Sequence, residues 1–335
     1  VAVVRALIVG CGSHGGEVLL PAALTAGIQP VGLVDADLDK AKTLAEQWGV
    51  PHVYNRLDEV PVRQLDAVLL ALPVAQHASN VGWAVDQGLH VFVEKPPATN
   101  LAQLRDLIDQ VDAADRVCGV GMNFRCAEGV LELGRRLSTG RHGRPAYVRV
   151  VQVARKPLEP FGPGLSMEAS LFYAQGIHAI DLALSFAPVA TAISGQRVRV
   201  NRGRLCVVVG EDHDSGTRIE ASFGSSAAGL YHELDVFCDS GDLLSLRNLS
   251  ELSYLPGGGE PDVADYPGAR VLWRRSPTNV GYTAAGYATE LASFKSRVLG
   301  DADPASSQAA VLRDLLPTYR AFDELLTCWD VPWTN

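Results

Sequence analysis

Val4-Arg5-Ala6-Leu7-Ile8-Val9-Gly10-Cys11-Gly12-Ser13-His14-Gly15 is the stretch on which the fold turns: an apolar run that ends in three glycines spaced G-x-G-x-x-G. A helical pattern, Glu17 to Ala26, follows at once. In that order the glycines have separate tasks. Gly10 permits the tight turn out of the strand, and Gly12 lets a backbone approach a pyrophosphate. Gly15 lets the helix pack close to the strand, while the free N–H groups at the helix start face phosphate charge. Ser13 and His14 fill the loop between them. Asp35 lies twenty residues beyond Gly15, at the end of a second apolar run, Pro30–Val34. A carboxylate there can accept both hydrogen bonds of an adenosine ribose diol. Among 32 glycines the motif alone is weak; strand, glycines, helix, strand and acid in register predict a dinucleotide site.

The remaining residues extend this α/β reading. A chain of 335 residues is long for one core, so two domains are expected, 1–121 and 122–335. Up to Gly121 strands alternate with helices, as a doubly wound parallel sheet requires. The strands are Val3–Val9, Pro30–Val34, His52–Tyr54, Asp66–Leu72, His90–Val93 and Val117–Gly121. The helices between them are Leu38–Trp48, Gln76–Gln87 (with Gly88 as the residue that ends it) and Leu101–Ala114. Right-handed crossovers bring Gly10, Asp35, Pro73 and Glu94–Pro96 to the ligand-binding edge of the sheet.

After Gly121 the pattern changes. Ala127–Leu137 and Leu171–Ser185 read as helices, and Ala146–Val153 as a strand. Between about 190 and 275 come β-rich runs such as Gln196–Val200, Leu205–Val209, Thr217–Phe223, Gly229–Cys238 and Leu243–Leu246. With no helix between them they predict a mainly antiparallel sheet. Pro256–Pro261 reads as a loop, and two helices, Ala284–Val298 and Ser306–Cys328, close the chain. One face of such a sheet takes helices; the other is free for a second copy of the chain, as a homodimer or homotetramer.

Composition excludes several classes. The chain is 47% hydrophobic and 20% charged, with a formal charge of −9 and no Lys/Arg-rich run, which argues against nucleic acid as a partner. No apolar run approaches the roughly 20 residues that span a bilayer, and no leader pattern precedes the first strand. Cysteines 11, 118, 126, 206, 238 and 328 lack any metal-ligand spacing, so no metal site is expected. Free thiols fit a reducing, cytoplasmic setting.

Further motifs carry a resemblance. The opening G-C-G-S-H-G, V-D-A-D at 34–37, Leu72-Pro73 with His77, H-V-F-V-E-K-P at 90–96, G-M-N-F-R at 121–125 and G-I-H-A-I-D at 176–181 resemble the glucose–fructose oxidoreductase, inositol dehydrogenase and rhizopine-catabolism (Gfo/Idh/MocA) family. The Tyr287–Phe294 segment and the long final helix fit as well. The resemblance implies a nicotinamide-dependent oxidoreductase of a sugar, cyclitol or similar polyol, which assembles through the second-domain sheet. It makes Lys95 the active-site lysine and His178 the proton-transferring histidine. Gly10, Gly12, Ser13, His14, Gly15, Asp35, Leu72, Pro73, His77, Glu94 and Lys95 become the cofactor set. Asn123, Arg125, Arg155 and His178 become the substrate set.

The residues support that chemistry to a point. A lysine beside an oxidised nicotinamide, partly desolvated, should have a lowered pKa and could exchange a proton with the reacting oxygen. His178 opens a helical stretch, where it could do the same. Asp181, one turn on, could orient its ring or tie the helix to the body. The departure is Ala174, where many relatives carry an acid four residues before the histidine. Tyr173 could supply a hydroxyl, but in an α-helix it is offset by about 100° from position 174. Arg155 and Lys156 start an irregular segment, Arg155–Leu165, suited either to an anionic substrate group or to plain solvation. Asp35, Ala36 and Asp37 with no nearby arginine favour NAD over NADP, whose 2′-phosphate they would repel. The leading expectation is hydride transfer between nicotinamide and a secondary alcohol or ketone of a sugar, cyclitol, aminosugar or nucleotide-sugar. Imine reduction, NAD-assisted glycosidic cleavage and a non-catalytic NAD sensor are the alternatives that Ala174 leaves open.

Overall fold

The computed structural model describes residues 3–161, 164–187, 192–200, 203–212, 214–257, 268–278, 281–301 and 308–333. They form two units: residues 1–126 with 280–316, and residues 127–279 with 317–335. The contiguous division at 121 is thereby revised, because Val280–Leu316 returns to the first unit. The reason is apolar burial. Leu291 and Phe294 are almost fully buried in the first unit's core, where Phe294 meets Phe92 edge-on at 5.7 Å.

The first unit is a six-stranded parallel sheet in the order β3-β2-β1-β4-β5-β6. Its strands are β1 (Val4–Val9), β2 (Ile28–Val34), β3 (His52–Tyr54), β4 (Ala67–Leu70), β5 (His90–Glu94) and β6 (Cys118–Gly121). The continuous apolar run of β4 is buried at every position, as a strand covered on both faces requires. A π-helical turn, Gly15–Leu19, leads into α1 (Leu20–Thr25); helix begins at Ser13, four residues earlier than the periodicity suggests. The helices α2 (Leu38–Trp48), α3 (Val74–Asp86) and α4 (Leu101–Ala113) follow the expected crossovers. Side chains of Asp37 and Asn100 cap α2 and α4 by accepting backbone N–H bonds. Gly88, with φ of +77°, sits just past the end of α3 in the left-handed region where glycine costs least.

The second unit begins with α5 (Glu128–Leu137) and an eight-stranded sheet ordered β14-β13-β12-β11-β7-β10-β9-β8. These strands are β7 (Pro145–Val153), β8 (Ala192–Val200), β9 (Gly203–Glu211), β10 (Arg218–Gly224), β11 (Tyr231–Cys238), β12 (Leu243–Arg247), β13 (Glu251–Leu255) and β14 (Arg270–Arg274). All described pairings are antiparallel except β7 with β10. Between β7 and β8 the chain runs through α6 (Met167–Leu171), a π-helical turn Phe172–Gly176 and α7 (Ile177–Leu184). Val148, Val150, Ile219, Ala221, Leu234 and Val236 are buried on one face of the sheet, against which α7 packs.

In the first unit again, α8 (Gly281–Ala284) precedes α9 (Tyr287–Val298). The final helix is shorter than Ser306–Cys328. Val311 instead forms a β-bridge with Gly119, a 3-10 turn covers Leu312–Leu315, and α10 occupies Leu316–Cys328. Of the expected Pro256–Pro261 loop, only Pro256 and Gly257 lie inside the described residues.

Candidate active site

Strand order reverses between β2-β1 and β4-β5, so the crevice at their carboxyl ends lies where Gly10 and Leu72 emerge. Gly10 has φ of +96°, and a Cβ on it would stand 2.2 Å from the Ala71 carbonyl oxygen. On Gly15 a Cβ would lie 1.9 Å from the Gly10 carbonyl oxygen, which explains why that helix can lie so near the strand. Gly12 behaves differently. A Cβ there meets nothing within 4 Å, so its glycine leaves the backbone bare on the open side. Gly12 and Ser13 are exposed and line a cavity of about 550 Å³ that continues to Lys40 and Trp48.

Asp35 is tied to the same turn. One carboxylate oxygen accepts the Cys11 N–H at 2.7 Å and the second accepts the Asp37 N–H at 2.9 Å. The acid is thus fixed against the glycine turn, half-buried, with lone pairs still available to a diol. The bare Gly12, the fixed Asp35 and the space beside them fit a dinucleotide cofactor.

Lys95 follows β5 directly. Burial pushes its ammonium pKa down, and the neighbouring Glu94 carboxylate opposes the shift without cancelling it. Glu94 is itself buried, and it accepts the Lys95 backbone N–H at 3.3 Å. Its Oε1 lies 2.8 Å from His14 Nε2. Burial disfavours the charged His14 ring, but the bond and charge of Glu94 prevail, and its pKa is raised. His14 therefore belongs to the lysine's carboxylate as well as to the glycine loop.

His77 does not line the crevice as a cofactor ligand would. It is buried in α3, and its Nδ1 donates to the Pro96 carbonyl at 2.7 Å. Its place is a strut that ties α3 to the turn carrying Lys95, and burial lowers its pKa. Leu72 is half-buried and Pro73 exposed at the crevice. Asn123 is buried, its amide donating to the Ala285 carbonyl at 2.8 Å, so it braces the segment ahead of α9. Arg125 Nη1 lies 3.9 Å from Asp314.

Two residues that the motif reading passed over come from α9. The Tyr287 ring meets His14 edge-on at 5.6 Å. Glu290, one turn later, is wholly buried, and neither carboxyl oxygen has a hydrogen-bond partner among the described residues. Desolvation and then the Glu94 charge raise its pKa well above the usual range, so Glu290 is held as a neutral acid. The Tyr287-x-x-Glu290 spacing marks one helix face, but 196 residues separate Glu290 from Glu94. Only the fold brings the pair into electrostatic contact.

In the second unit His178 is buried at the start of α7. The turn before it revises the helical arithmetic. Ile177 N–H donates to the Phe172 carbonyl, an i→i+5 bond that makes this a π-helical turn. The Tyr173 ring is buried and stacks on Trp333 at 6.1 Å, and burial raises its hydroxyl pKa. Thr318 on α10 donates to buried Asp181 at 3.4 Å, a long bond that links α7 to the final helix. Glu168 is buried and paired with Arg197 and Arg204. Gln152 donates to Gln175, which donates to the Lys156 carbonyl, so the loop after β7 is tethered. Arg155 is exposed.

Comparison with known proteins agrees with this geometry. Residues 4–122 match the oxidoreductase family with an NAD-binding Rossmann fold, named for Gfo, Idh and MocA. That match lies wholly in the first unit and covers about a third of the chain. Like the family's first domain, its opening unit is a Rossmann fold. The D-apiose dehydrogenase of Paraburkholderia graminis is 27% identical over 67% of this chain and 62% of its own length. The myo-inositol 2-dehydrogenase of Thermotoga maritima is 28% identical over 44% of each chain. The matches thus span less than two thirds of those curated relatives. A dehydrogenase from Chromobacterium violaceum is 28% identical and superposes with a TM-score of 0.87 over 98% of this chain and 95% of its own. No described helix is long and apolar enough to cross a membrane.

Proposed function

We propose that the protein is an NAD-dependent oxidoreductase that moves a hydride between nicotinamide and a secondary alcohol or ketone of a sugar-like substrate. The observation that carries the reading is Lys95: a desolvated amine of lowered pKa, immediately after a sheet strand and beside the glycine turn. When bound, NAD supplies the hydride acceptor. Lys95 then takes the hydroxyl proton as the C–H bond breaks, or returns it to the alkoxide in reduction. Buried Glu94 holds the lysine backbone, and His77 braces the following proline from behind. His178 is read as a second proton-handling group, with Tyr173 and Asp181 supporting it. The relatives named for D-apiose and myo-inositol point to a sugar or cyclitol.

Preference for NAD over NADP rests on Asp35 and Asp37, whose nearest cation, Lys40, is already 3.8 Å from Asp37. Assembly as a homodimer or homotetramer rests on the second unit's sheet. On the face opposite α7, Val209, Tyr231 and Phe237 are exposed beside the Arg149–Glu233–Arg247 ion pairs. A cytoplasmic setting rests on six cysteines that are all free thiols.

The decisive experiment is turnover of a panel of sugars, cyclitols and nucleotide-sugars with NAD, for wild type and Lys95→Ala. Turnover lost in the variant with NAD affinity kept supports the reading. No turnover of any alcohol despite tight NAD binding would indicate a sensor. Release of a leaving group without net NADH would indicate glycosidic cleavage.

A further inference from the structure

A second cavity of about 310 Å³ lies in the first unit at the opposite end of the sheet from Lys95. It is bounded by α4, the entry to β6, the last turn of α9 and the turn at Val311–Arg313. Val117 and Cys118 lie at the amino end of β6, whereas Lys95 follows the carboxyl end of β5. A five-residue strand separates the two ends by about 16 Å. The cavity shares no lining residue with the one beside Gly12.

Its charge is unusual for a protein with net charge −9. Arg116, Arg297 and Arg313 all line it, against the single carboxylate of Asp112. Asp112 is ion-paired with Arg313, and among the described residues no other carboxylate lines the cavity. The Nε–H groups of Arg116 and Arg297 are both shut off from solvent, and neither has a hydrogen-bond partner among the described residues. Arg116 Nη1 donates to the Asp115 carbonyl at 2.9 Å. The walls between these cations are apolar, from Ile108, Val111, Val117, Val311 and Leu312.

We propose that this cavity is a binding site for a small organic oxyanion, a phosphate monoester or carboxylate with a compact apolar body. Its oxygens accept from the guanidinium groups of Arg116 and Arg297 that line the cavity, and its body lies against the aliphatic wall. The volume suits a ligand of about ten heavy atoms, at the lower end for small-molecule sites. Val117 N–H donates to His90 Nδ1 at 3.0 Å, so the cavity floor is joined to the first residue of β5, the strand that ends at Glu94.

The test is calorimetric titration of the full chain, saturated with NAD to block the pyrophosphate site, with phenyl phosphate, benzoate and neutral phenol. At least one of the two anions should bind, with phenol at least tenfold weaker. Arg116→Gln and Arg297→Gln should each weaken the anion at least tenfold while leaving NAD affinity and thermal midpoint unchanged. Which anion binds more tightly identifies the head group. Absence of binding by both anions, equal binding of phenol, or unchanged binding in folded variants overturns the proposal. If either variant fails to fold, wild-type crystals soaked with phenyl phosphate and benzoate decide: density for either one between Arg116 and Arg297 supports the site, and an empty cavity with both rejects it.

Discussion

His14 Nε2 lies 2.8 Å from Glu94 Oε1, joining the glycine turn after β1 to the residue just before the lysine after β5. This contact makes the cofactor loop and the Lys95 turn one electrostatic unit. His14 has a raised pKa, so the stabilisation that the pair provides is complete below the ordinary histidine pKa. It is lost as pH rises through the raised value. Glu94→Gln should bring His14 back toward ordinary histidine behaviour, which an NMR titration of its ring protons reads directly. An unchanged titration would remove Glu94 as the cause.

Lys95 has the opposite shift, an ammonium pKa lowered by burial. Alcohol oxidation needs the neutral amine, so its rate should rise with pH through an ionisation below the usual lysine range. Lys95→Ala should lose about 10²–10⁴-fold in kcat, the usual scale for a general acid or base. The pH dependence should vanish with it. A variant that retains the wild-type pH profile would assign the ionisation elsewhere.

The glycines separate packing from binding. Gly15→Ala places a Cβ 1.9 Å from a backbone carbonyl oxygen, which must shift the helix. It should lower the thermal midpoint by several degrees and abolish NAD binding. Gly12→Ala meets no protein atom within 4 Å, so the thermal midpoint should hold while NAD affinity falls about tenfold or more. That factor corresponds to about 1.4 kcal/mol. Thermal melts and fluorescence titration with NADH distinguish the two.

Asp35 sets cofactor choice. Replacing it with Asn removes the charge but keeps an acceptor for the Cys11 N–H. Asp35→Asn should weaken NAD at least tenfold and narrow the gap to NADP, as measured by binding of each. A wild-type protein that already binds NADP as well as NAD would overturn the proposed preference.

Glu290 predicts a pH-dependent stability. Its pKa is raised in the fold, so above the ordinary carboxylate range the unfolded chain has lost a proton that the folded chain keeps. Stability therefore falls as pH rises between the ordinary carboxylate pKa and the raised one, by about 1.4 kcal/mol for each pH unit crossed. Glu290→Gln is neutral at every pH and removes the effect. Its advantage in urea unfolding should be small at pH 4 and should grow toward pH 8.

The sequence by itself determined what short-range chemistry can encode. The glycine spacing, the acid after β2, the run of β4 and the lysine at the end of β5 are each legible within about thirty residues, because a parallel βαβ unit repeats its own punctuation. The π-helical turn at Phe172–Gly176 was not legible, since such a turn has no residue signature that separates it from its neighbours. The strands Glu251–Leu255 and Arg270–Arg274 also escaped notice, being short and half-exposed at the sheet's edge. Only tertiary structure decided that α9 returns to the first unit, that His77 braces Pro96, and that Glu290 is held neutral under the charge of Glu94. Those outcomes depend on burial and on charges far apart in the chain. Desolvation belongs to a place in the fold, and no residue carries it in its name.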